Sequence, residues 1–351
     1  MLRPGQVLDR RYKVLDKLGE GGMGAVFKVE HIHLKTNHAL KVLLNLHPSV
    51  RSRFLNEARI MAALKHAHIA SVSDLVIDQV AGIVMEYVEP PTLDDWVDEQ
   101  GPQPPDSVRR VMVPMLNAVG FAHAHGIVHR DLKPSNVLVG RTGRGVRPVV
   151  LDFGIAKVRS EAKVGLKQKT AYGDVLGTPG YMAPEQIRNA SAVDERSDIY
   201  ALGLLLYEVA TGQVAFDQDT PWDQAKAIVT GKPKPLPSTV DPQVGDCIVR
   251  AMSLKPDDRY DSCDDFSRSL GAAPTEKPSQ AGSEKLLAAY NRVITRSKDP
   301  DTRLDAYLQK ARLLDRSMGR QKAAANHYKR VLELRKGHVG ARVGLAELLL
   351  R

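Results

Sequence analysis

Val128-His129-Arg130-Asp131-Leu132-Lys133-Pro134-Ser135-Asn136-Val137 sets a carboxylate, a lysine and an amide on one short loop. Asp131 can accept the proton of a hydroxyl nucleophile, Lys133 can neutralise charge on a phosphoryl group in transit, and Asn136 can bind Mg²⁺. Sixteen residues past Asn136 comes Asp152-Phe153-Gly154. There Asp152 supplies a second metal ligand, and Gly154 allows the chain to turn into a mobile loop. Chance coincidence of both motifs in this order and spacing is negligible.

Upstream, Gly19-Glu20-Gly21-Gly22-Met23-Gly24-Ala25-Val26 contains the pattern Gly19-x-Gly21-x-x-Gly24-x-Val26. Glycine is needed where backbone approaches phosphate without a Cβ and where a turn demands positive φ. The same pattern opens dinucleotide-binding folds, but there a helix follows; here strand-forming residues follow, which favours a flap over phosphates. Fifteen residues after Val26 stands Lys41, in His38-Ala39-Leu40-Lys41-Val42. A lone lysine between apolar residues is ordinarily a snorkelling surface group. Glu57, in Phe54-Leu55-Asn56-Glu57-Ala58 on the next helical pattern, changes that reading, because it can hold the ammonium toward the α- and β-phosphates.

Periodicity supplies the frame. Tyr12 to Leu18 alternates as a strand, Gly19 to Gly24 breaks it, and Ala25 to His31 resumes it, giving a glycine-rich hairpin. His38 to Leu44 is a third predicted strand, Arg51 to Leu64 a helix, and Ile83 to Val88 a short apolar strand edge. From Asp106 onward helical patterns dominate: Ser107 to His125, Pro184 to Asn189, Arg196 to Thr211, Trp222 to Thr230 and Val244 to Ser253. Gly271 to Ser283 has linker composition. Beyond it, Leu287 to Val293 echoes Ala325 to Val331, and Ala311 to Leu314 echoes Ala346 to Leu349, at offsets suited to helical hairpin repeats.

Gly19–Val26, Lys41, Glu57, His129–Asn136, Asp152–Gly154 and Ala183-Pro184-Glu185, in that order, resemble the signature set of the eukaryotic-like (Hanks-type) protein kinases found in bacteria. The resemblance covers about residues 12 to 270 and implies an α+β, two-lobed kinase fold, with an antiparallel sheet plus one helix at about 12–86 and a mainly helical lobe at about 89–270. The expected organisation is therefore a kinase domain at 1–270, a linker at 271–283 and a small all-α module at 284–351. That tail resembles tetratricopeptide repeats, with Gly319 at a helix–helix turn and Tyr328 at a packing aromatic position.

By the same resemblance, ATP is the phosphoryl donor and Mg²⁺ the metal, with Mn²⁺ able to substitute. The adenine slot would be walled by Leu18, Val26, Ala39 and Leu138, with Met85 as gatekeeper and the backbones of Glu86 and Val88 bonding the base. Thr92 stands where many members carry an acidic ribose contact. Asp198 should brace the catalytic-loop backbone, and Arg259 should pair with Glu185. Lys133 and Gly177-Thr178-Pro179-Gly180-Tyr181 imply a non-specific serine/threonine protein kinase acting on protein substrates. His129 is expected to be a packing residue, and the spacing of His123, His125 and His129 suits no standard metal site.

Arg130 precedes the candidate base and would be a buried unpaired cation, a costly state, unless an anion meets it. Lys157, Arg159, Lys163, Lys167 and Lys169 make the loop between Gly154 and Ala183 repel Arg130, and phosphate on a loop hydroxyl reverses that balance. Thr170 is the expected autophosphorylation site, ahead of Ser160 and Tyr172.

Composition bounds the rest. Hydrophobic residues are 43% and charged residues 26% of 351, as in ordinary folded proteins. Cys247 and Cys263 make no disulfide framework, which suggests a reducing compartment. With no apolar signal near Met1 and no membrane-length run, a soluble cytoplasmic protein is expected. The formal charge of +9 is dispersed rather than striped, which argues against a nucleic-acid partner. The alternative function is a pseudokinase scaffold binding partners through the C-terminal helices. Such a scaffold typically lacks one of the phosphate lysine, the base or the metal aspartate, and Lys41, Asp131 and Asp152 are all present. Small-molecule kinases share the fold but usually lack the Ala-Pro-Glu segment and the long loop before it.

Overall fold

Along β3 (Gly24–His31) every second side chain is buried: Ala25, Phe27 and Val29. This period of two puts one strand face into a core and leaves the other to a cleft. The structure is a computed structural model that describes residues 2–21, 24–43, 48–77, 80–143, 145–153, 179–188, 193–272, 280–297 and 299–350. With β1 (Val7–Leu8), β2 (Tyr12–Gly21), β4 (Thr36–Leu43), β5 (Val72–Val76) and β6 (Gly82–Glu86), β3 forms an antiparallel sheet of order β1-β2-β3-β4-β6-β5. Its outer face carries its own core of Leu8, Tyr12, Val14, Phe27, Leu40, Val42, Val76 and Val84. The helix α1 (Pro48–Met61) follows β4 and sends Phe54, Ala58 and Met61 into the main core.

The sheet departs from the sequence expectation in several places. β2 runs on through the glycines, pairing Gly19 with Val26 and Gly21 with Gly24, because cross-strand hydrogen bonds hold what propensity alone would not. β6 is interior, flanked by β4 and β5, rather than an edge. β5 escapes periodicity because Ser73 and Asp74 interrupt it beside a bulge between Val72 and Asp74.

The second lobe is α2 (Leu93–Gln100), α3 (Pro105–Ala124), the hairpin β7 (Val137–Thr142) and β8 (Gly145–Val150), then α4 (Pro184–Arg188), α5 (Glu195–Thr211), α6 (Pro221–Thr230), α7 (Pro242–Ala251) and α8 (Cys263–Ser269). α5 is buried on every side, as a helix apolar all round must be. Asp194 caps its start by accepting from the Arg196 amide, and Gly212 ends it at φ +67°. No helix among the described residues is long and apolar enough to cross a membrane.

Four helices follow: α9 (Gln280–Arg296), α10 (Pro300–Arg316), α11 (Gln321–Leu334) and α12 (Val339–Leu349). α9 begins inside the stretch read as linker, of which residues 273–279 lie outside the described ones. Gly319 sits at the α10–α11 turn at φ +61°, and Tyr328 packs on Gly344 of α12. Leu304, Leu308, Ala311, Leu314, Ala324, Tyr328, Val331 and Ala341 form a core of their own. Leu286, Tyr290, Val293, Ala306 and Leu313 instead join the main core, where α9 packs on α1 and α10 on α3. Burying each large apolar side chain contributes about 1.5–3 kcal/mol, so this contact is worth several kcal/mol.

Candidate active site

β4 delivers Lys41 to the cleft because its register pairs Lys41 with Val26 and Ala39 with Met85. Cross-strand partners share a face, so Val26, Ala39, Lys41 and Met85 line one surface, opposite the outer core. Gly24 is needed for a close approach: a Cβ there would lie 2.4 Å from the Val42 carbonyl oxygen. Leu18 is exposed, while Leu138 packs with Val88, Ala70 and Val149. The Glu86 amide donates to the Ser71 carbonyl at 2.9 Å, so that amide serves the sheet. Its carboxylate accepts from Arg147 Nη1 at 2.8 Å, and the same guanidinium donates to the Ala67 carbonyl; no motif in the sequence marks Arg147. The Thr92 hydroxyl is engaged in capping α2, where it accepts from the Asp95 amide at 3.2 Å.

The loop is held from below by one buried carboxylate. Asp198 accepts from the amides of His129 at 2.7 Å and Arg130 at 2.8 Å, and from His123 Nε2 at 2.8 Å. Burial raises the cost of charge on Asp198, but the hydrogen bond from His123, its charge and the amides outweigh it and hold the carboxyl below its ordinary range. Burial likewise opposes charge on His123, yet the Cys263 sulfur and the Asp198 carboxylate push it up to about 9. His123 is thus the partner the sequence did not disclose. His129 donates through Nε2 to the Leu151 carbonyl, 2.7 Å away, and packs on Phe153 with ring centroids 4.6 Å apart.

On this base the reactive groups converge. Asn136 Nδ2 donates to the Asp131 carbonyl at 2.8 Å and to Asp131 Oδ2 at 3.1 Å, and Lys133 Nζ lies 3.7 Å from the same carboxylate oxygen. The Leu151 amide donates to the Asn136 carbonyl at 2.8 Å, which sets Asp152 beside Asn136 at the mouth of the β7–β8 hairpin. Lys41 Nζ is 2.9 Å from Asp152 Oδ1. Asp152 holds φ +46° and Arg130 φ +68°, uncommon for residues with a Cβ and a mark of backbone held in place by its surroundings. Because Nδ2 of Asn136 donates to Asp131, its oxygen is the atom suited to a cation. One amide oxygen and one carboxylate make a hard, sparse donor set of the kind that binds a divalent cation jointly with substrate phosphates. No cluster of three or more metal-ligating side chains occurs among the described residues.

Glu57 falls on α1, but its side chain, like Gly154 and Thr170, lies outside what is described. Glu185 and the fully buried Arg259 form a bidentate pair at 2.7 and 2.9 Å, with Ser197 Oγ donating to the same carboxylate at 2.7 Å. Tyr181 donates to Glu208 at 2.7 Å, and burial, with Asp94 and Asp98 nearby, pushes Glu208 up to about 7. Arg130, its side chain 9% exposed, faces a tail residue: Asp305 Oδ1 lies 3.9 Å from Nη2.

The protein kinase domain family matches residues 12–268. Among curated relatives, serine/threonine-protein kinase Pkn1 of Myxococcus xanthus is 39% identical over 76% of this chain and 38% of its own length. PknB of Mycobacterium leprae is 37% identical over 78% of this chain and 44% of its own, and pkn3 of M. xanthus 35% identical over 85% and 58%. The chain thus spans about half the length of the curated relatives it matches or less. Among solved structures, the crystal structure of Rad53 1-466 in complex with AMP-PNP aligns with a TM-score of 0.60 at 25% identity, over 74% of this chain and 64% of that one. With the match running from β2 to α8 across both lobes, this chain belongs to the protein kinase family.

Proposed function

We propose that the chain is a serine/threonine protein kinase that transfers the γ-phosphoryl group of ATP to Ser or Thr hydroxyls of proteins. The observation that carries this is the cluster of Asp131, Lys133, Asn136, Asp152 and Lys41 on a loop anchored by Asp198. Asp131, oriented by Asn136, takes the substrate hydroxyl's proton as that oxygen attacks the γ-phosphorus; the bond from the γ-phosphorus to the bridging oxygen breaks, ADP leaves with that electron pair, and Lys133 offsets charge on the group in transit. Lys41 positions the donor's phosphates, while Val26, Ala39, Met85 and Leu138 wall the base and the chain at Glu86 and Val88 bonds it. Asn136 and Asp152 would hold Mg²⁺, which when bound would supply neutralisation of charge on the phosphates. Leu18, Gly19, Gly21 and Gly24 form the flap, and Glu57 is the partner of Lys41. Autophosphorylation at Thr170, a cytoplasmic location and a protein partner for the tail complete the reading. The test is incubation of the purified chain with labelled ATP, Mg²⁺ and protein substrate, beside an Asp131→Asn control, with phosphosites mapped by mass spectrometry. Label on Ser and Thr in the active protein alone supports it; equal labelling by the control overturns it.

A further inference from the structure

Arg130 is joined directly to the residue read as the base, so the place of its side chain bears on where Asp131 stands. Its amide is tied to Asp198, and its carbonyl accepts from Gln186 Nε2 at 3.0 Å. The guanidinium is buried, and the carboxylate that faces it comes from α10, outside the family's matched region. The contact is broad. A Cβ on Gly126, at the turn leading into the loop, would lie 2.5 Å from the Gln309 carbonyl oxygen and 3.2 Å from Arg312 Cβ, so the loop's approach and α10 are in backbone-to-backbone proximity. Tyr290 of α9 donates to the His125 carbonyl at 3.4 Å, and Arg316 of α10 pairs with Glu195 on the first turn of α5, the helix that carries Asp198.

Charge makes Asp305 more than a neighbour. Arg130 and Arg312 are both buried here, and the charged groups that act on Arg130 are Asp305, Arg312 and Asp198. Asp198 is already paired with His123 and two amides. Without Asp305 the guanidinium would be an uncompensated cation that gains by turning toward water, pulling the loop with it.

We propose that Asp305 is a positioning residue for phosphoryl transfer: as counter-ion of Arg130 it lets the C-terminal helices hold the catalytic loop in place. This rests on the reading of Asp131 as the base. The sequence expectation gave that counter-ion role to a phosphate on the loop at Thr170; a carboxylate supplied in cis by the tail performs it without modification. Arg130 Nε and Arg312 Nη1 have no hydrogen-bond partner among the described residues, which makes the one facing carboxylate weigh more.

The test compares full-length wild type, Asp305→Asn, Asp305→Glu, Arg130→Gln and the Arg130→Gln/Asp305→Asn double variant on a Ser/Thr peptide, with phosphate content matched by mass spectrometry. Asp305→Asn should cut kcat about 10- to 100-fold, the scale of a misplacement near 1 Å, while KM for ATP stays within about twofold. Asp305→Glu should recover most of the rate. In the Arg130→Gln background Asp305→Asn should cost nothing further, because the residue acts through that arginine. Wild-type or higher kcat in Asp305→Asn, or an equal loss in both backgrounds, overturns the proposal. Should Asp305→Asn fail to fold, the double variant decides: a restored cooperative melt supports the coupling, and its absence refutes it. An Asp131→Asn protein assayed alongside separates the two readings. If it is inactive while Asp305→Asn is at full rate, only the tail's role falls; if it is fully active, the base assignment falls.

Discussion

The pair beneath the catalytic loop makes stability depend on pH in a calculable way. His123 comes from the last turn of α3 and Asp198 from the first turn of α5, and both are buried. Burial works against the imidazolium, but Cys263 and Asp198 lift His123 from 6.5 to about 9. A group whose folded value is raised stabilises the fold fully below its unfolded value, and that stabilisation is lost as pH rises through the folded one. The window is therefore pH 6.5 to about 9. Each pKa unit corresponds to about 1.4 kcal/mol, so the loss across the window is on the order of 3 kcal/mol. Asp198 has the opposite sense: its lowered value adds stability above 3.8 that disappears as pH falls through the folded value. Urea unfolding followed by tryptophan fluorescence at pH 6, 7, 8 and 9 should show wild type falling relative to His123→Gln by that order. Since Asp198 also fixes the amides of His129 and Arg130, kcat should decline over the same window in wild type. Parallel stability profiles for wild type and His123→Gln would refute the charged pair.

Asp131→Asn should leave ATP binding nearly intact and reduce phosphoryl transfer by about 10²–10⁴, read by single-turnover kinetics. Lys41→Met and Asp152→Ala should each abolish autophosphorylation in Mg²⁺ if, as proposed, one positions phosphate and the other holds metal; a phosphorylated product in Asp152→Ala with Mg²⁺ as the sole metal would contradict this. Arg259→Met should destabilise the fold by about 3–5 kcal/mol in urea titration, because it leaves the largely buried Glu185 carboxylate with Ser197 in place of a bidentate cation. The Glu185→Gln/Arg259→Met protein should recover part of that loss.

That Lys41, Asp131, Lys133, Asn136 and Asp152 come together was legible in the sequence, because the roles proposed for them admit few substitutes and so leave those residue types at fixed intervals along the chain. The supports were not, because many residue types can fill them. His123 reads as one of three histidines near a helix end, and only the fold shows that α5 brings Asp198 within 2.8 Å of it. Arg147 is the lone charge of an otherwise apolar hairpin strand with no motif, yet from the second lobe it ties down Glu86 and Ala67 of the first. Short or interrupted elements, β1, β5 and α2, offer too few periods for alternation to register.

The tail carried a subtler signal. A helix in a simple hairpin needs one apolar stripe, and α10 has Leu304, Leu308, Ala311 and Leu314 on the face that packs against α11 and α12. It also has Ala306 and Leu313, a second pair two turns apart, which enter the main core. α9 places Leu286, Tyr290 and Val293 at intervals of four and three residues into that same core. Echoes between the two hairpins show that helices recur but not which surface each stripe meets, because an apolar stripe is indifferent to its partner. What marks the destination of the second stripe on α10 is the charged residues beside it, Asp305 facing Arg130 and Arg316 facing Glu195, while on α9 Tyr290 itself donates to the His125 carbonyl. Apolar burial supplies the energy of docking and the two charge pairs favour one register, so the tail meets the second lobe with a carboxylate beside the arginine that precedes Asp131.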